Sequence, residues 1–184
     1  QVYLLGGGED GAQTTAVREL TKDGALHRAA ERGAVVFGVC AGYQILGNTF
    51  TVGDRQQEMP GLGLLDVDTR RGPERAVGEI LTTWRGRSGE EQWITGFENH
   101  GGFTTPGPGC IPLADVVVGV GNGDGTEGAV QGSVFGTYPH GPVLARNPAL
   151  ADHLLEIALG TPLDPLPMPE VDRLRAERRK ALGH

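Results

Sequence analysis

Gly38-Val39-Cys40-Ala41-Gly42 sets a cysteine between small residues, directly after the apolar run 34–39 and before Tyr43–Leu46, which can be helical. Strand, sharp turn and helix, with glycine two residues to either side of the reactive residue, is the context a nucleophile elbow needs. The small flanks let the chain turn and leave the side chain at the strand's carboxyl end. A thiol at a helix N-terminus is expected to have a lowered pKa, because the dipole favours thiolate. The Ala41 N–H would point at a developing oxyanion. A cysteine nucleophile also needs a base. His140, in Gly136-Thr137-Tyr138-Pro139-His140-Gly141-Pro142, follows the strand candidate Val134–Tyr138 and would face Cys40 across the sheet's carboxyl edge. Singly, the cysteine reads as a nucleophile ahead of a buried structural residue, and the histidine as a solvated or structural residue; together they describe acyl transfer. Cys110 reads as structural.

The elements that must hold this pair follow from patterning. Gln1–Leu5 is a strand candidate running into Gly6-Gly7-Gly8. A helix is expected from about Gln13 to Arg32, broken near Asp23-Gly24, with Gly33 at its end. Ala34–Val39 is a continuous apolar run, as in a central parallel strand. The middle is β-rich, with candidates at Leu62–Val67, Val77–Thr83, Gln92–Phe97 and Val116–Val120. The turn Gly121-Asn122-Gly123-Asp124-Gly125 then precedes 128–131 and Val134–Tyr138. A last clear helix spans Pro148–Leu159, with Asn147 as its cap and Gly160 as its stop. Strand–helix–strand–turn–helix is an α/β pattern. The expected fold is therefore α/β: a mostly parallel sheet flanked by helices, with an antiparallel extension from the middle. The division is a domain over 1–160, then a Pro-rich linker and an exposed charged helix over 161–184.

Composition bounds the function. At 184 residues the chain suits one domain with a real core. A net charge of −7 without a basic patch beyond the C-terminal tail disfavours nucleic acid. Two cysteines at this spacing suit no metal motif and no disulfide scaffold. No apolar run approaches membrane-spanning length, and no signal peptide is visible.

At this point the motifs resemble a family. Val39-Cys40-Ala41-Gly42-Tyr43-Gln44 with Gly136-Thr137-Tyr138-Pro139-His140-Gly141 is similar to class I glutamine amidotransferases of the cobyric-acid-synthase-like type. Gly96-Phe97-Glu98-Asn99-His100-Gly101-Gly102-Phe103-Thr104 and the 121–128 hairpin sharpen the resemblance to GatD proteins, the glutaminase subunits of lipid II isoglutaminyl synthase. It spans about Leu4 to Leu159. The resemblance implies that L-glutamine is hydrolysed through a Cys40 thioester with His140 as base. The oxyanion would be held by N–H groups at Ala41 and in the Gly6-Gly7-Gly8 loop. Glutamine's α-carboxylate would be clamped by an arginine, best matched by Arg75, with Arg70 and Arg71 as competitors. Gln44, one helical turn past Cys40, would touch substrate or support the elbow. Glu98-Asn99-His100 reads as shaping a loop or the partner interface ahead of forming a second polar cluster at the site.

The resemblance also implies a heterodimer with a MurT-like Mur ligase, which uses ATP and Mg, while this chain itself holds no cofactor and no metal. The ammonia would amidate the D-glutamate α-carboxyl of lipid II in cytoplasmic peptidoglycan synthesis, at the inner face of the plasma membrane and without a spanning segment. Many class I amidotransferases carry glutamate two residues after the histidine; here that residue is Pro142. The MurT partner can supply an acidic residue in its place. The family's N-terminal strand–helix portion is expected ahead of Gln1. Competing readings are the glutaminase part of a cobyric or cobyrinic acid synthase, a stand-alone cysteine hydrolase, and a non-catalytic binding subunit.

Overall fold

The computed structural model describes residues 1–86, 89–140 and 142–184. The chain opens with strand β1 (Val2–Leu5), helices α1 (Asp10–Thr21) and α2 (Ala25–Glu31), strand β2 (Val35–Val39) and helix α3 (Ala41–Leu46). Strands β3 (Thr49–Val52), β4 (Gln57–Pro60), β5 (Val67–Arg85), β6 (Glu91–Pro106) and β7 (Ala114–Val118) follow. Strands β8 (Thr126–Glu127), β9 (Ala129–Gln131) and β10 (Val134–Thr137) precede helices α4 (Val143–Arg146), α5 (Pro148–Leu159) and α6 (Pro169–Ala181).

The fold is α/β. One sheet has the order β1-β2-β10-β9, in which β1, β2 and β10 are parallel and β9 is antiparallel. Successive β2 residues face opposite sides, as the strand period requires. Val36 joins a core with Leu26 of α2 and Tyr43 and Leu46 of α3. Val35 and Phe37 join a second core with Leu150 and Leu154 of α5. Burial on both faces explains why this strand shows no polar alternation.

The antiparallel part is larger than the sequence suggests. It forms a second sheet, β4-β3-β5-β7-β8, with β6 paired along β5. Isolated bridges Phe97–His140 and Ile111–Val130 join it to the first. The expected strands at Val77–Thr83 and Gln92–Phe97 are the distal parts of a hairpin more than twice as long.

Three local expectations change. The segment 61–66 is no strand, because its N–H groups cap α3: Leu62 donates to Ile45 O, and Leu64 and Leu65 to Leu46 O. These carbonyls at the helix end need such partners. Asn147 stands at the N-cap position of α5 without capping it through its side chain. Its carboxamide instead receives Thr95 N–H and donates to Thr95 O on β6. The C-terminal helix exists but is not simply solvated. Arg179 lies 4.4 Å over the Trp93 ring, and Arg178 approaches Glu79 at 3.8 Å.

Candidate active site

Cys40 sits between β2 and α3 at φ 54, ψ −108. Only one other non-glycine residue among those described, Gln56, has positive φ. This conformation is costly for a residue with a Cβ and is retained where the surroundings force it. The glycines of the motif supply the forcing geometry. A Cβ at Gly38 would stand 2.7 Å from the Gly42 carbonyl, and one at Gly42 would run into the Leu5 carbonyl. The elbow can close only if both positions are bare. The Cys40 N–H is fixed at 2.8 Å to Thr137 O.

That last bond ties the nucleophile's strand to the histidine's. β2 and β10 are adjacent and parallel, in register Gly38–Gly136 and Val39–Thr137, so Cys40 and His140 leave the sheet at the same edge. The His140 N–H donates to Phe97 O at 2.8 Å, pinning the loop to β6. The side chains converge beside Gly7. A Cβ placed there would lie 3.2 Å from His140 Cε1 and 3.9 Å from Cys40 Cβ. Gly7 must therefore be bare to leave the space between thiol and imidazole open. The bond partner of His140 in sequence, Gly141, lies outside the described residues.

Burial pushes the Cys40 thiol up from 9.0; the Ala41 N–H and the Arg75 charge oppose this without cancelling it. The lowered thiol pKa expected from the helix N-terminus is thus overturned: α3 is short, and desolvation outweighs its dipole. Burial, and after it the neighbouring His100, holds His140 below 6.5. Both shifts favour the neutral forms of the two groups. The His140 Nε2 is buried and has no hydrogen-bond partner among the described residues.

A cavity of about 420 Å³ opens at Cys40, lined among others by Gly8, Gln13, Gln44, Arg71, Arg75 and Asn99. Arg75 belongs to residues 72–75, which bulge opposite a single residue of β6 where the register shifts between Arg71 and Ala76. A bulge re-aims side chains, and this one turns Arg75 into the cavity. There its Nε donates to Asn99 Oδ1 at 2.8 Å. Arg71 also lines the cavity and faces Asp54 at 3.6 Å. Arg70 does not line it; its guanidinium is 3.6 Å from Glu58 outside. Gln44 lines the cavity and accepts from Gln13 Nε2 at 2.5 Å.

Below this rim is a buried polar layer in which the sequence reading notes Glu98 and His100 but not Glu127. Glu98 accepts from Val120 N–H at 2.8 Å and Gly121 N–H at 3.0 Å, and its Oε2 is 3.3 Å from His100 Nε2. Burial alone would raise the Glu98 carboxyl; bonds from His100, Gly121 and Val120 outweigh it and hold the pKa low. His100 stacks on Tyr138 with ring centroids 3.7 Å apart. Glu127 is fully buried, accepting Tyr138 N–H at 2.7 Å and the Thr137 hydroxyl at 3.0 Å. Burial drives its pKa to about 7. The signal available in the sequence was an acidic residue, Glu127, inside an otherwise small and apolar strand pair. Among the described residues no group of three or more His, Cys, Asp or Glu could hold a metal.

A cysteine on a strained elbow, a histidine just past the adjacent parallel strand and a polar cavity opening at the cysteine form an α/β arrangement of the kind that nucleophile–base enzymes use. Residues 1–148 match the CobB/CobQ-like glutamine amidotransferase domain, and the chain belongs to that family. It is 38% identical over 170 residues to the lipid II isoglutaminyl synthase (glutamine-hydrolyzing) subunit GatD of Staphylococcus aureus, covering 89% of this chain and 67% of that one. It is 33% identical over 162 residues to the subunit of the same name from Streptococcus pneumoniae, covering 86% of this chain and 61% of that one. A crystal structure of a glutamine amidotransferase superposes with a TM-score of 0.63 at 24% identity, over 85% of this chain and 78% of that one, which shows the shared fold.

Proposed function

We propose that the chain is a glutaminase subunit that releases ammonia from L-glutamine. The observation that carries this reading is the convergence of Cys40 and His140 beside Gly7, at a cavity with Arg75 on its wall. That wall also presents carboxylates, Asp10 and Glu74. Guanidinium and carboxylate together suit the zwitterionic head of an amino acid.

In the proposed reaction the glutamine α-carboxylate pairs with Arg75, which places the side-chain amide at Cys40. His140 removes the thiol proton as sulfur attacks the amide carbon. The N–H groups of Ala41 and of Gly7 or Gly8 hold the oxyanion; one such donor is worth roughly 10²–10³ in rate. Collapse expels ammonia with the proton from His140 and leaves a thioester. Water, deprotonated by His140, then releases glutamate.

The partner we propose is a MurT-like ligase subunit, which would spend ATP with Mg to activate the D-glutamate carboxyl of lipid II. The names of the two GatD relatives support this product. An acidic residue of the ligase that orients the His140 ring would complete the triad; among the described residues the buried Nε2 has no hydrogen-bond partner. Exposed Phe97, whose backbone pairs with His140, and exposed Val77 suit a contact surface there. No described helix is long and apolar enough to cross a membrane, and the proposed place of work is the cytoplasm, at the inner membrane face.

The test is glutamate release from glutamine by the chain alone and with the ligase subunit, with Cys40→Ala as control. Cys40-dependent release that rises on assembly is expected. Folded protein that releases no glutamate in either state would overturn the reading.

A further inference from the structure

We infer that Asn99 is the positioning residue that sets the Arg75 clamp and so fixes the distance between clamp and thiol. The inference rests on the glutaminase reading above.

Arg75 stands on the bulge at 72–75, where the β5–β6 ladder offers its backbone no regular register. Its side-chain hydrogen bonds among the described residues both end on Asn99. Nε donates to Asn99 Oδ1 at 2.8 Å and Nη2 to Asn99 O at 3.4 Å. A guanidinium has five N–H donors in a rigid fork. Asn99 occupies the edge formed by Nε and Nη2, which leaves the end edge to receive a carboxylate through two parallel bonds. The same Asn99 carbonyl lies 3.9 Å from Cys40 Sγ. One residue therefore touches both the group that would hold the substrate's head and the group that would attack its tail.

Asn99 itself has little freedom. Its neighbours in β6, Glu98 and His100, are buried. Glu98 is tied to two N–H groups of the 120–121 turn, and His100 to Gly102 O and the Tyr138 ring. Strand alternation then presents Asn99 on the opposite face, toward Arg75. A clamp held at a fixed reach from the thiol selects an amide by chain length, and glutamine exceeds asparagine by one methylene.

The experiment is steady-state glutamine hydrolysis by the chain assembled with its ligase subunit, for wild type, Asn99→Ala, Arg75→Ala and the double variant. Loss of a hydrogen bond to a charged group predicts that Asn99→Ala raises KM about 10-fold, with a much smaller fall in kcat. The double variant should be little worse than Arg75→Ala alone, because both changes remove one interaction. Asn99→Asp should raise KM further, since its carboxylate would compete with the substrate's for Arg75. Alkylation of Cys40 by iodoacetamide, which carries no α-carboxylate, reports that each variant is folded with its thiol accessible. Wild-type turnover with an Asn99→Ala KM within about twofold of wild type, or effects of Asn99 and Arg75 that simply add, would overturn the inference and leave the glutaminase reading standing. Absence of turnover in the wild-type assembly would sink both.

Discussion

Replacing Glu127 by Gln should make the protein more stable above neutral pH and cost it about 1 kcal/mol in mild acid. Glu127 is fully buried, and the groups facing its carboxyl are the Tyr138 N–H, the Thr137 hydroxyl and, at longer range, the Glu98 carboxylate. No cation is among the causes of its shift, and burial raises its pKa from 4.5 to about 7. The folded state therefore binds more protons than the unfolded state between these values. Stability must fall as pH rises through that window, and the penalty is complete above about 7. A shift of that size corresponds to roughly 3 kcal/mol, at 1.36 kcal/mol per pKa unit. Glutamine keeps an oxygen for the Tyr138 N–H and has no charge to bury, at a loss of about 1 kcal/mol for the second bond to Thr137. The expected gain above neutral pH is thus on the order of 2 kcal/mol. Urea unfolding of both proteins at intervals from pH 4.5 to 8 measures this. Other carboxylates titrate alike in the two and cancel in the difference. A difference that stays flat with pH, or a variant that loses stability at pH 8, would refute the reasoning. The second result would mean that the bonds from Thr137 and Tyr138 outweigh desolvation.

Two further outcomes follow from the site. Iodoacetamide labelling of Cys40 should rise with pH through an inflection above the ordinary thiol range, because burial raises this group; rapid labelling that persists to about pH 5 would show a resting ion pair instead. Arg75→Ala should raise the KM for glutamine about 10- to 100-fold, whereas Arg70→Ala, whose guanidinium lies outside the cavity near Glu58, should leave it unchanged; kinetics in which Arg70 carries the effect would reverse that assignment.

The elbow was legible because its constraints are local. The glycines at 38 and 42, the apolar strand and the helix that follows all lie within a dozen residues, and the structure shows why each is small. His140 was legible because it follows its strand directly. What stayed hidden depends on contacts distant in sequence. The 61–66 segment alternates like a strand, yet its donors serve the end of α3. Asn147 has the residue type of a cap, but β6 offers its carboxamide a better pair of partners. The thiol pKa was misjudged because a helix dipole can be read from order along the chain, while burial cannot. Arg75 already ranks over Arg70 and Arg71 through the resemblance; what no pattern of residue types announces is the bulge on which it reaches the cavity. The long hairpin was seen only in its apolar parts, since residues 67–76 are mostly charged or small.

The backbone at Cys40 has a consequence for how this chain can change. Its φ of 54 and ψ of −108 match the first corner of a type II′ turn, a position glycine fills without penalty. Cys40→Gly would therefore relieve on the order of 1 kcal/mol of strain while removing the thiol. At most sites the residue that suits the reaction and the residue that suits the backbone are compatible. Here they are opposed, and a copy of this domain released from its chemistry would gain stability by losing its nucleophile. On the glutaminase reading proposed above, a cysteine at this corner is kept for its sulfur against the preference of its own backbone.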